Sequence, residues 1–295
     1  MELELSDLRG GYVQLLESVL VAGQHVTSRG FNCCELTGVR LIFTDPLAPL
    51  LPINVGRRVN TRLAAVEALQ IIAGQFDASL VLRASPAFSS VLVNPGAPDY
   101  GAYGPRLGYA IGSCVSLLEA DPGSRQAVAL IWRPEDLDQV GDKPCTVFLQ
   151  FLLRNAPTSD GELTLELYSY MRSQDAWLGV PYDIFMFSQL QHTVARELKV
   201  PAGRLIHHAT SMHLYDHHVA EAQRVVSGYR AGDFPEQLND LPLGVCALAD
   251  TETGFDAAGV LLDHALQRSW MFGSSAPARA ATLNPWYAAR LAEIE

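Results

Sequence analysis

Three stretches in the middle of the chain constrain its fold most. Residues 127–132 are a continuous apolar run, residues 147–153 are another, and Leu163, Leu165 and Leu167 alternate with polar neighbours. Continuous runs of this length suit strands covered on both faces, and alternation suits a strand with one wet face. Three of them within about 45 residues predict a sheet core. Residues 39–43 read as an earlier strand and residues 204–215 as a later one.

Helical spacing surrounds these runs. Residues 8–25 carry an apolar stripe through Tyr12, Leu15, Leu16 and Val19 after a cap candidate at Ser6, and residues 60–72 repeat the pattern through Leu63, Val66, Leu69 and Ile72. Pro181-Tyr182-Asp183 opens a third helix with Ile184, Phe187, Leu190, Val194 and Leu198 on one side, and residues 219–226 form a short one. The expected class is α/β in the α+β sense, a mixed β-sheet flanked by helices. Residues 75–104, rich in Ser, Pro, Ala and Gly, show no period and read as a binding loop. The tail after Gly228 reads as loop, closing on Pro285-Trp286-Tyr287. No repeat or linker divides the chain, so a single domain over residues 1–295 is expected, with 229–295 its divergent part.

Charge and cysteine usage remove several functions. A net charge of −11 without any lysine- or arginine-rich run disfavours nucleic acid, while a few converging arginines can still hold a small anion. No apolar run reaches a membrane span of ~20 residues, and the acidic start Met-Glu-Leu-Glu-Leu-Ser lacks the basic flank of a signal peptide. A cytoplasmic protein without membrane contact is expected. The cysteines at 33, 34, 114, 145 and 246 form no spaced ladder, and the histidines at 207, 208, 213, 217 and 218 come without a metalloprotease-type spacing, so neither disulfides nor a metal is predicted.

The chemistry-bearing stretch is Lys143-Pro144-Cys145, which opens the run 147–153. Proline removes a backbone donor and fixes φ, so the thiol at a strand mouth can face a pocket. Cys145 is thus a candidate nucleophile, although a lone cysteine is more often a small buried hydrophobe. Arg29 lies in the polar turn 27–32, where backbone amides and a guanidinium can hold an anion. Glu67 lies one residue from the apolar stripe of its helix, the usual address of a solvent-edge carboxylate.

Taken in order, Pro144-Cys145, Arg172-Ser173-Gln174-Asp175, Leu178-Gly179-Val180-Pro181-Tyr182-Asp183-Ile184 and His213-Leu214-Tyr215 resemble the thymidylate synthase family over roughly residues 10 to 225. The resemblance implies that family's fold, with sheets packing across a homodimer. It implies a catalytic set of Cys145, Glu67 and Tyr103, with Arg172 activating the thiol, and nucleotide binding by Arg29, Arg125, Arg172, Ser173, His213 and Tyr215. Arg125 would act from the partner subunit, where the family carries two arginines and this chain has Arg125-Gln126. Asp175 and Gly179 would contact the co-substrate 5,10-methylenetetrahydrofolate, and no metal is implied.

The departures from the family pattern point to a different product. The family's asparagine, which reads the uracil edge, is here Asp183. Cytosine offers an acceptor at N3 and a donor at N4, which a protonated carboxyl can match. No tryptophan occurs between Glu67 and Tyr103, where the family's methylating members carry them. Both features resemble the cytidylate 5-hydroxymethylase branch, in which water captures the one-carbon unit. The expected substrate is a cytidine monophosphate, with CMP favoured over dCMP because arginine outnumbers lysine so heavily, as in antibiotic-producing actinobacteria. The alternatives are a uracil-nucleotide methylase and a nucleotide-binding protein without chemistry. Two further departures are Thr146 for a histidine and Ser211 for an aspartate.

Overall fold

A computed structural model of the protein describes residues 1–45, 51, 55–90, 101–138, 143–156, 161–234 and 285–294. Among these, eight strands form one mixed sheet: β1 (Glu2–Leu5), β2 (Gln24–Ser28), β3 (Phe31–Phe43), β4 (Val128–Leu130), β5 (Thr146–Asn155), β6 (Leu163–Met171), β7 (Gln174–Asp175) and β8 (Ala202–Tyr215). The main order is β1-β3-β8-β6-β5-β4, with β2 paired to β3 and β7 to β8. The pairs β3–β8, β5–β6 and β4–β5 are antiparallel, and β1–β3 and β6–β8 are parallel. The 14-residue β8 is the spine, since it pairs with β3 along one edge and with β6, then β7, along the other.

The helices are α1 (Leu8–Ala22), α2 (Thr61–Ile72), α3 (Ala78–Ala84), α4 (Tyr103–Leu107), α5 (Ala110–Ala120), α6 (Val180–Glu197), α7 (Asp216–Ala231) and α8 (Pro285–Ala292). The mixed α/β class is as the sequence predicted. α6 starts at a glycine with proline in its first turn and buries Ile184, Phe187, Leu190 and Val194. α2 is capped by Asn60, whose side chain accepts from the Leu63 amide at 3.2 Å. The same residue ties three elements together, donating its backbone N–H to the Tyr182 hydroxyl at 3.0 Å and its amide Nδ2 to the Ala84 carbonyl at 2.8 Å.

Several boundaries differ from the sequence reading. α1 ends at Ala22, not His25, and its cap is Asp7, not Ser6. Gly23 allows the chain to reverse tightly there, because a Cβ would lie 2.4 Å from the Val19 carbonyl. The polar turn 27–32 is the tip of a β2–β3 hairpin, turned by Arg29 and Gly30 at φ of 52° and 82°. Within the expected loop 75–104, residues 78–84 and the start of α4 are helical, and residues 91–100 lie outside the described set. α5 was not read from sequence, and residues 285–287 begin a helix in place of the expected loop.

α8 docks on the core formed by α2 and α6. The Tyr287 hydroxyl donates to Gln189 Oε1 at 2.9 Å, Trp286 packs against Phe185, and Tyr287 is fully buried.

Candidate active site

The strand mouth at Cys145 is held open by two devices. Pro144 offers no N–H, and the β5–β6 register shifts between Thr146 and Phe148, a bulge that re-aims side chains locally. Cys145 is half-buried. Arg172, at the end of β6, folds back over it, donating from Nε to the Pro144 carbonyl at 3.0 Å and from Nη2 to the Lys143 carbonyl at 3.1 Å. Its Nη2 also lies 3.9 Å from Cys145 Sγ, and the guanidinium stacks on Trp132 at 5.3 Å. The Arg172 side chain remains exposed, so its charge faces both the thiol and solvent.

Beside Cys145 stands a group of three acids. Tyr103, in α4, faces Thr146 and feels both Asp183 and Cys145, and burial with these charges pushes its phenol well above the usual range. Burial raises the Glu67 carboxyl to about 8, with the neighbouring Asp183 adding to the shift. Asp183 rises to about 7 through burial, against the lowering effect of its bond from Gln174, with Asp175 pushing the same way as burial. Both carboxyls are half-buried by surface area, so each keeps a partial opening to solvent. Asp183 occupies the first turn of α6, where the helix N-terminus favours a carboxylate by ~0.3–1 kcal/mol. Burial outweighs that effect here. Glu67 is thus partly exposed, as its helical position implies, yet its carboxyl is strongly perturbed.

Gln174 was quoted in the sequence motif without a role, and it turns out to organise this group. Its Nε2 donates to Asp183 Oδ2 at 2.8 Å, while its buried Oε1 has no partner among the described residues. Gly179 makes the pairing sterically feasible. A Cβ there would lie 2.6 Å from Gln174 Nε2 and 3.1 Å from Asp183 Oδ2. Gly104 acts similarly for Tyr103, because a Cβ would lie 2.2 Å from the Gln75 carbonyl and 2.6 Å from that of Gln70.

A second group lies at the end of β8. His213 is paired in register with Glu35 on β3 and Asp175 on β7, stacks edge-on to Tyr215 at 4.9 Å, and has Arg29 among its charged neighbours. Burial lowers its pKa against the pull of the two carboxylates. Ser211, standing in for the aspartate of the resemblance, donates to Glu35, so β3 supplies the missing carboxylate. Asp175 Oδ1 accepts from the amides of Trp177 and Leu178 at 2.7 and 2.8 Å, fixing the turn before α6, while Oδ2 makes no hydrogen bond among the described residues. Arg57 joins this face, stacked on Trp177 at 4.5 Å and donating to the Tyr12 hydroxyl at 2.9 Å. Nothing in the sequence marks Arg57.

Ser173 is half-buried between Arg172 and Gln174. Arg125 is exposed and distant. Its carbonyl accepts from Gln150 Nε2 at 2.9 Å, five residues along the strand from Cys145, or about 16 Å at ~3.3 Å per residue. The described chain thus brings together Cys145, Arg172, Tyr103, Glu67 and Asp183, and separately Arg29, Asp175, His213 and Tyr215. It leaves Arg125 apart. Of the five histidines, His207 is buried with Nδ1 2.8 Å from Ser169 Oγ, His208 stacks on Tyr170, and His217 packs against His218 with ring centroids 4.2 Å apart.

The thymidylate synthase family model matches residues 108–238, the span from α5 to just beyond α7 that holds Cys145, Arg172, Asp183 and His213. A thymidylate synthase of Listeria monocytogenes serotype 4a is 32% identical over 154 residues, covering 50% of this chain and 43% of that protein. One from Listeria innocua serovar 6a is 33% identical over 113 residues, covering 38% and 34%. The chain spans less than half the length of these curated relatives. The mixed sheet flanked by helices is consistent with the thymidylate synthase fold. Among the described residues, no helix is long and apolar enough to cross a membrane.

Proposed function

We propose that the protein transfers a one-carbon unit from 5,10-methylenetetrahydrofolate to C5 of a cytidine monophosphate and releases the 5-hydroxymethyl product. The observation that carries this reading is the Gln174–Asp183 pair. Because Gln174 Nε2 is spent on Asp183 Oδ2, its Oε1 is left as a bare buried acceptor beside a carboxyl titrating near 7. Protonated Asp183 donates to cytosine N3, and Gln174 Oε1 accepts from the N4 amine. Uracil would set its own O4 acceptor against that oxygen.

Cys145 adds to C6, which makes C5 an enamine-type nucleophile. Arg172 stabilises the thiolate at 3.9 Å and shares its charge with the nucleotide phosphate. Arg29, Ser173 and the Arg125 of a second copy complete the anion site in a homodimer. His213 and Tyr215 hold the sugar. The folate supplies a carbon at the oxidation level of formaldehyde, and the free Oδ2 of Asp175 suits a donor on the pterin edge. C5 bonds to that carbon, and Tyr103, protonated throughout, passes the C5 proton to a water as tetrahydrofolate leaves; Glu67 holds the water that hydrates the resulting exocyclic methylene before Cys145 departs. Residues 1–295 act as one domain.

The named relatives favour a second reading, methyl transfer to a uracil nucleotide. Mass analysis of products from CMP, dCMP and dUMP with methylenetetrahydrofolate separates the two. A hydroxymethyl cytidine nucleotide is expected. A methylated uracil nucleotide would replace this reading with the second, and no product with no exchange of the C5 hydrogen would leave a binding protein. In Cys145→Ala, exchange should fall below detection.

A further inference from the structure

The sequence offers no metal-binding spacing, yet chain crossings assemble a ligand set away from the group around Cys145. His25 on β2 lies directly across from Cys34 on β3, and the next residue of β3 toward the hairpin tip, Cys33, is in register with Tyr215, which Asp216 follows at the start of α7. Two strands of one hairpin and the start of α7 therefore converge, with one ligand atom from each of His25, Cys34 and Asp216 all within 4.8 Å of one another. His25 Nδ1 stands 3.8 Å from Cys34 Sγ. Tetrahedral zinc with Zn–S ≈ 2.3 Å and Zn–N ≈ 2.0–2.1 Å sets sulfur and nitrogen about 3.6 Å apart.

We propose that His25, Cys34 and Asp216 bind one divalent transition-metal ion of the zinc class, with the fourth position open to solvent. A thiolate, a carboxylate and a neutral imidazole carry two negative charges between them, so a divalent ion makes the site neutral. Thiolate ligation selects zinc-class ions over Mg²⁺ and Ca²⁺. Burial of Cys34 gives the sulfur a dry side, while the exposed His25 and Asp216 leave an entry path. The ion would clamp the β2–β3 hairpin, which carries Arg29, to the β8–α7 junction, which carries Tyr215. This proposal is independent of the reaction assigned above.

The test titrates the full chain, stripped with a chelator, with Co²⁺ and then Zn²⁺. One equivalent of Co²⁺ should bind with a thiolate-to-cobalt charge-transfer band that Zn²⁺ removes, and Zn²⁺ should raise the Tm. Cys34→Ser should lose the band, whereas Cys33→Ser should keep it. The exposed positions keep the test valid should Cys34→Ser fail to fold: His25→Ala and Asp216→Asn should each weaken Co²⁺ binding at least about tenfold. Absence of the band in the wild-type chain, its persistence in Cys34→Ser, or unchanged affinity in His25→Ala and Asp216→Asn would overturn the proposal.

Discussion

A carboxyl group in the first turn of a helix is ordinarily an anion near neutral pH, so the displacement of Asp183 to about 7 measures how strongly its surroundings disfavour charge. Two consequences follow from this residue and Glu67. First, cytosine recognition needs protonated Asp183, so kcat/KM for a cytidine nucleotide should fall as pH rises above about 7. Asp183→Asn should move preference toward uracil nucleotides, and its remaining exchange activity should lack that falling limb. A preference for cytosine unchanged in this variant would refute the base-recognition argument. Second, both carboxyls bind protons more tightly when folded, at about 7 and 8, than their ordinary values of 3.8 and 4.5. The stability they contribute is complete below about pH 4 and is lost as pH rises through those raised values. Glu67→Gln should therefore be more stable than wild type at about pH 9, on the order of 2 kcal/mol, with the gap closing toward about pH 5.5, as read by urea unfolding. Cys145 and Asp183 were legible as motif members. The partnerless oxygen of Gln174 was not, because which atom of an amide is left bare depends on a neighbour nine residues away. The raised carboxyl of Glu67 was not legible, because an apolar stripe shows which face of a helix is buried and cannot show that Asp183 stands beside its edge.

At the scale of elements, the strongly periodic segments were legible and the weakly periodic ones were not. β3, β5, β6, β8, α2 and α6 carry their own hydrophobic pattern. β2 hides because four of its five residues are exposed, leaving no alternation to detect. α5 buries only Ile111, Cys114 and Leu118 of its eleven residues, too sparse a stripe in a stretch flanked by glycines. α4 is too short for any period, and it is placed by backbone contact. Gly104→Ala should cost about 1–3 kcal/mol, since two carbonyls lie inside the space its methyl would need, and it should lower the rate of C5-hydrogen exchange by moving Tyr103. Denaturation and exchange measured together check this, and a variant destabilised without any change in exchange would separate α4 from the chemistry.

Across the whole molecule, the sheet order was not legible, because β8 pairs with β3 from well over a hundred residues away and no local pattern encodes that. One long-range link is electrostatic. Arg106 meets Asp136 through two bonds of 2.8 Å, with the carboxylate wholly buried, joining α4 to the segment after β4. Removing one partner strands the other in a dry site, so Asp136→Asn should cost about 3–5 kcal/mol, visible as a lowered denaturation midpoint. Another long-range link is α8, whose Tyr287 reaches Gln189 across 98 residues of sequence. A ribosome adding ~5–20 residues per second takes about 5–20 s to span that interval. During those seconds a nascent chain already holds Glu67, Cys145 and Asp183, while the helices that carry the two carboxyls lack their last packing partner. Translation speed over the codons between Gln189 and Tyr287 thus sets how long the core without α8 stands exposed to chaperones and proteases.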